Sequence, residues 1–203
     1  MTRPYPDPFT TPDPQAVADS RIVDFARHVG VDGTDYTALH RWSVTDLEGF
    51  WGAVWEYFDI DAETPYERVL AEERMPGARW FTGATLNYAH HVLRNLTDDG
   101  SVIVALDETG SGYEVTGGRL RSQVASVAAT LRELGVGRGD RVVGYLPNTP
   151  HAIIAFLAAA SIGAIWSACG QDYSAKAALD RLGQLEPVVL VTAAGYRFGG
   201  LAR

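Results

Sequence analysis

Along the first half of the chain, from about residue 14 to residue 95, apolar positions recur mostly at helical spacing. Asp46 followed by Leu47, Phe50, Trp51, Val54 and Phe58 predicts one amphipathic helix with an acidic first turn. Trp42, Trp51, Trp55, Tyr57 and Phe58 gather around it, and aromatic residues on one helical face read as core rather than as a stacking platform for a ligand. A second helix is expected over 86–96, after a loop over 75–83 punctuated by Pro76, Gly77 and Gly83.

From residue 101 the texture changes to short apolar runs separated by longer periodic stretches. The runs predict strands over 101–106, 113–115, 141–146, 164–168 and 188–191, with helices over 120–134, 151–162 and 175–185 between them. Val124, Val127, Ala128, Leu131 and Leu134 share a face of the first of these helices. Such alternation predicts an α/β fold with a parallel sheet covered on both faces. The expected organisation is therefore a mainly helical region over 1–97 and an α/β region over 98–203. The nearly uncharged stretch from Ala152 to Cys169 approaches membrane length, but it is broken by Ser161, Gly163 and Ser167 and lacks a flanking basic cluster. It reads as a buried helix followed by a buried strand.

Charge narrows the partners. The chain of 203 residues carries 25 acidic against 17 basic side chains, a formal net charge of −8, so its field disfavours nucleic acid and anionic lipid. Lys176 is the only lysine and Cys169 the only cysteine, which excludes an internal disulfide and a cysteine-based zinc site and fits a reducing, cytoplasmic setting. Residues 1–14 are rich in Pro, Asp and Thr and have no secretory apolar core, so export is not expected.

In an open parallel sheet ligands bind beyond the carboxyl ends of the strands. Three loops qualify: Pro147-Asn148-Thr149, the segment from Cys169 to Ser174, and the segment from Ala193 to Arg197, which together offer small residues, amides, hydroxyls and one fixed cation. These suit a polar or phosphorylated ligand, and equally an ordinary set of connections. Gly135-Val-Gly-Arg-Gly139 resembles a dinucleotide loop in spacing but follows a helix and precedes a strand, so it reads as a helix stop and turn on the opposite edge, which disfavours a dehydrogenase. No Gly-Lys-Ser/Thr and no Gly-x-Ser-x-Gly occurs; Ser111, between Gly110 and Gly112, reads as part of a hairpin turn. His90 and His91 are adjacent and lack the one-turn spacing of a helical zinc pair. Cys169, in an apolar Ile-Trp-Ser-Ala-Cys run, reads as inert rather than nucleophilic.

Longer strings carry a resemblance. Gly135-Val-Gly-Arg-Gly-Asp-Arg-Val-Val-Gly-Tyr-Leu-Pro-Asn148, the Ala-rich helix after it and Ile162-Gly-Ala-Ile-Trp-Ser167 resemble the N-terminal region of acyl-CoA synthetases of the adenylate-forming superfamily. Trp80-Phe-Thr-Gly-Ala-Thr-Leu-Asn-Tyr-Ala89 is similar to the acetyl and acetoacetyl members, and Ile165-Trp-Ser, Leu179-Asp-Arg, Gln184-Leu-Glu-Pro and Gly195-Tyr-Arg to the acetoacetyl branch. The resemblance runs from about residue 36 to residue 200. It implies ATP-dependent activation of acetoacetate to an acyl-adenylate and transfer to coenzyme A. ATP with magnesium, acetoacetate and coenzyme A are then the ligands of the complete enzyme, with no nucleic-acid or membrane partner.

In that family the phosphate loop, the adenine and magnesium motifs and the catalytic lysine lie beyond residue 203. The chain thus resembles the first third of such an enzyme, inactive in adenylation on its own and prone to self-association through an uncovered sheet edge. Carried over by position, Gly170, Gln171, Asp172 and Arg197 approach the nucleotide end of coenzyme A, with no catalytic and no metal-binding residue implied in this chain. Two departures stand out: Gly170-Gln-Asp-Tyr173 replaces the branch's usual Ser-Pro-Asp-Phe, and Leu201 stands where a lysine is usual. A second reading, a non-catalytic α/β module that binds coenzyme A or a protein, uses the same residues.

Overall fold

A computed structural model describes residues 12–33 and 35–202, so the Pro-rich start lies largely outside the described residues. The chain divides into two compact units, 1–85 and 86–203.

In the first unit, short polar residues start the helices. α1 (Pro14–Ala18) has Asp13 as its cap, α2 spans Arg21–His28, and α3 (Tyr36–Thr45) begins where the Asp35 carboxylate accepts from the Ala38 amide at 2.9 Å. Asp46 both ends α3 and starts α4 (Leu47–Tyr57), its two oxygens accepting from the Trp42 indole at 3.1 Å and the Gly49 amide at 3.0 Å. The core forms around Phe25, Ala26 and Leu39, with Trp42, Phe50, Val54 and Tyr57 packed against them. Phe25 meets Tyr57 edge-on at 5.1 Å and Trp42 meets Phe50 edge-on at 5.3 Å, so these rings are core, as expected. Trp51 and Phe58 lie at the exposed margin of that face.

The mainly helical expectation needs one correction, because β1 (Arg68–Glu72) and β2 (Arg79–Thr82) pair as an antiparallel ribbon inside and beside the segment read as a loop. The ribbon carries a bulge between Leu70 and Glu72 and a positive φ at Phe81. Both break the two-residue alternation on which strand recognition depends.

The second unit opens with α5 (Tyr88–Arg94), capped by Asn87, whose amide also donates to the Ala160 carbonyl at 2.9 Å. This helix, which the sequence reading grouped with the N-terminal region, packs Ala89 and Leu93 into the core of the second unit. β3 (Ser101–Leu106) and β4 (Gly112–Thr116) form an antiparallel hairpin, followed by α6 (Gly117–Glu133). Thr116 caps that helix, and its first residue is Gly117, where a Cβ would run into the Thr97 carbonyl.

β5 (Arg141–Tyr145), α7 (Pro150–Ser161), β6 (Ile165–Cys169), α8 (Ala175–Leu182) and β7 (Val189–Thr192) then build a parallel sheet ordered β6-β5-β7. A two-residue ribbon, β8 (Arg197–Phe198) with β9 (Leu201–Ala202), follows. The fold is α/β as expected, but β3 pairs with β4 and is no member of the parallel sheet.

Val142 lies in one core with Leu120, Val124 and Leu131 of α6 and Leu157 and Ala158 of α7, each buried valine or leucine contributing about 1.5–3 kcal/mol. Val143, one residue on, points to the α8 side, where Ala178, Leu182 and Leu190 lie. Coverage is complete at β5 and thins at the margins, with Leu179 71% and Leu190 56% exposed. α7 is 12 residues long and the chain then enters β6, so the apolar stretch is a helix and a strand as expected, but β6 is a sheet-edge strand with no buried residue rather than a buried one; among the described residues no helix is long and apolar enough to cross a membrane.

Candidate functional site

The parallel register fixes where the strands end together, Tyr145 opposite Cys169 on one side and Thr192 on the other. Side chains and backbone then tie those ends into one platform. The Leu146 amide donates to the Cys169 carbonyl at 3.3 Å, and the Thr192 hydroxyl to the Tyr145 carbonyl at 3.1 Å. The Tyr145 phenol donates to the Tyr173 carbonyl at 2.5 Å, and Arg181 of α8 lies 4.8 Å over the Tyr173 ring. Ser174 caps α8 and so stops the loop after β6 from running on.

Beyond this platform lies a cavity of about 740 Å³. Pro147, Asn148 and Thr149 supply one wall, Gly170, Gln171 and Asp172 a second, and Gly195, Tyr196, Arg197 and Gly200 a third. All four residues singled out from the sequence, Gly170, Gln171, Asp172 and Arg197, therefore converge on one space. A Cβ at Gly170 would meet the Asp172 carboxylate, which would have to turn aside to admit it. Gln171 donates to the Ala193 carbonyl at 2.8 Å, joining the loop after β6 to the loop after β7, while its own carbonyl oxygen is buried without a partner. Arg197 is exposed on β8. Cys169 is half-buried at the end of β6 and is not part of the cavity wall.

The sequence reading missed a fourth wall, Leu106 to Thr109 in the turn between β3 and β4. In the sequence this connection reads as a hairpin turn rather than as a loop on the ligand edge, and β3 stands outside the parallel sheet. The turn is organised by Asp107, whose carboxylate accepts from the Thr109 hydroxyl at 2.6 Å, the Thr109 amide at 2.8 Å and the Ser111 amide at 3.1 Å. These hydrogen bonds, the hydroxyl's first and with a smaller contribution from Arg197, hold its carboxyl below the usual carboxylate range. Ser111 sits in this turn as expected. Glu108 reaches across to the ribbon, its two oxygens accepting from the amides of Gly199 and Gly200 at 2.8 Å each. Among the described residues no cluster of three metal-ligating side chains is present. The glycines over 135–139 lie elsewhere: the Gly135 amide closes the last turn of α6 and the Gly139 amide donates to the Gly163 carbonyl at 2.9 Å, a helix stop as expected.

Comparison with known proteins extends this geometry. The family model for the acetyl-coenzyme A synthetase N-terminus matches residues 36–92, and that for AMP-binding enzymes matches residues 94–200. An acetoacetyl-coenzyme A synthetase of Rhizobium meliloti (strain 1021) is 36% identical over 197 residues, covering 95% of this chain and 30% of the relative. An acetoacetyl-CoA synthetase of Danio rerio is 40% identical over 177 residues, covering 86% of this chain and 26% of the relative. The solved acetoacetyl-CoA synthetase from Streptomyces lividans superimposes with a TM-score of 0.90 at 50% identity, over 97% of this chain and 32% of that one. The chain thus spans less than a third of the curated relatives it matches.

Proposed function

The chain belongs to the AMP-binding enzyme family, and on that premise we propose that it forms the N-terminal part of an acetoacetate–CoA ligase and contributes the coenzyme A edge of that enzyme. The reaction is ATP, acetoacetate and coenzyme A giving AMP, diphosphate and acetoacetyl-CoA, in a cytoplasmic setting, with small molecules as its only ligands besides copies of itself. The observation that carries the reading is the convergence of Gly170, Gln171, Asp172 and Arg197 on one cavity beyond the carboxyl ends of the parallel strands.

The donors suit a phosphorylated nucleotide. Arg197 supplies a fixed cation for phosphate, Gly170 allows close backbone approach, and Gln171 and Asp172 offer polar groups to a base or ribose. The sequence has no Gly-Lys-Ser/Thr, and its single lysine is ion-paired with Asp180 on α8 at 2.9 Å. In this chain the protein's part is to bind and orient coenzyme A.

Calorimetric titration of the chain with coenzyme A and with dephospho-coenzyme A tests the reading. Saturable binding that Arg197→Ala weakens supports it. Absence of binding, or binding indifferent to that substitution, removes the coenzyme A assignment.

A further inference from the structure

The ribbon between Phe198 and Leu201 turns through two glycines, Gly199 at φ 60° and Gly200 at φ 75°, both in the left-handed region that admits glycine without strain. A turn of this kind presents successive amides to one side and makes a concavity that prefers an anion. Here it holds one: the Glu108 carboxylate, one oxygen on each amide at 2.8 Å, brought from the turn between β3 and β4, 91 residues earlier in the chain. Glu108, Gly200 and Arg197 line the same cavity. The charges facing that space are the carboxylates of Asp107, Glu108 and Asp172 against the guanidinium of Arg197, so acidic groups are in excess there. Asp107 is committed to its own turn by three hydrogen bonds, whereas Glu108 is committed to the amide pair.

We propose that the Gly199–Gly200 amide pair is a phosphate subsite, that Glu108 fills it when no ligand is bound, and that a phosphorylated ligand must displace this carboxylate to enter. Glu108 is thereby an affinity-setting residue. With the carboxylate seated, the cavity presents excess negative charge and closed amides. With it swung out, two N–H groups and Arg197 face one phosphate. Because only the fraction of molecules with an open amide pair is competent, a pair filled nine-tenths of the time by its own carboxylate weakens apparent binding about tenfold. The seated carboxylate also bridges the β3–β4 turn to the β8–β9 ribbon, so ligand entry frees the two segments from each other.

The inference deepens the proposed coenzyme A reading and rests on it for the identity of the ligand, so its test uses a probe that does not. Amide resonances of Gly199 and Gly200 are followed in dilute glycine-labelled full chain titrated with inorganic phosphate, for wild type, Glu108→Gln and Glu108→Ala. The expected result is saturable movement of both resonances, with the midpoint at about tenfold lower phosphate in Glu108→Ala than in wild type, and a shift in the same direction in Glu108→Gln, which keeps the side chain's size. Resonances that phosphate leaves unmoved in both variants, or that titrate at the wild-type concentration, overturn the proposal. A parallel titration with coenzyme A separates the two readings. If it follows the same order, both stand. If phosphate moves the glycines in that order and coenzyme A moves them in no protein, the amide-pair subsite stands and the coenzyme A assignment falls.

Discussion

Arg141 holds β7 in register from the far end of the sheet, and its removal is a quantitative test of how the ligand loops are positioned. Its Nε donates to the Leu185 carbonyl and its terminal nitrogen to the Glu186 carbonyl, both at 2.9 Å, while its own carbonyl accepts from the Val188 amide at 2.9 Å. Glu186 turns the chain with a left-handed φ of 48°, a conformation costly for a residue with a side chain, and the guanidinium secures that turn. In Arg141→Ala the half-buried bond to Leu185 is lost at a charge-assisted value of about 1.5–3 kcal/mol. The exposed bond to Glu186 adds less than about 1 kcal/mol, because water replaces it. The expected cost is therefore about 1.5–4 kcal/mol. Urea unfolding should show it as a lower midpoint at unchanged slope. Arg141→Lys keeps the charge without the two-pronged geometry and should recover only part of the loss. A cost below about 0.5 kcal/mol, the range of an ordinary surface change, or full recovery by lysine would refute this account of the turn.

Asp107 carries a pH signature. Its folded carboxyl is held below the usual range, so its stabilising contribution is present above the ordinary carboxylate pKa and disappears as pH falls through the depressed value. The gap in unfolding midpoint between wild type and Asp107→Asn should thus be open at neutral pH and close in acid; a gap that widens on acidification contradicts it. Gln171→Ala should cost about 1 kcal/mol or less in stability, since one hydrogen bond to Ala193 is lost, yet weaken coenzyme A binding by uncoupling the two loops. Unchanged affinity would show that the bridge does not position the site. The chain by itself should release no acetoacetate-dependent pyrophosphate from ATP. Turnover that survives repurification and is abolished by a substitution within these 203 residues would refute that.

Much of the second unit could be read from periodicity because α6, α7, β5 and β7 obey simple rules, with strong apolar faces or runs bounded by glycine, proline and short polar caps. Asp46 was legible as the start of α4 for the same reason. The β1–β2 ribbon was not, since its bulge and the positive φ at Phe81 erase the alternation. The β8–β9 ribbon has only two residues per strand, too few for any period. The loops that carry Gly170, Gln171, Asp172 and Arg197 were legible because connections after parallel strands share an edge, whereas the four residues themselves were singled out by the family resemblance. Asp107 and Glu108 were not legible, because their hairpin reaches that edge from a different sheet, and the pairing of Glu108 with Gly199 and Gly200 spans a sequence distance that no local pattern encodes.

The central claim, that this chain supplies the coenzyme A edge of an acetoacetate–CoA ligase, is tested most directly by separating the two half-reactions. The chain would replace the matching segment of the Streptomyces lividans acetoacetyl-CoA synthetase on which it superimposes, with and without Arg197→Ala. Acetoacetate-dependent pyrophosphate exchange reads adenylation, and acetoacetyl-CoA formation reads thioester transfer. Losing one charge-assisted contact to phosphate, about 1.5–3 kcal/mol, should lower the apparent affinity for coenzyme A in thioester formation roughly 10- to 100-fold and leave the exchange rate unchanged. Equal loss in both half-reactions, or loss in neither, would contradict it.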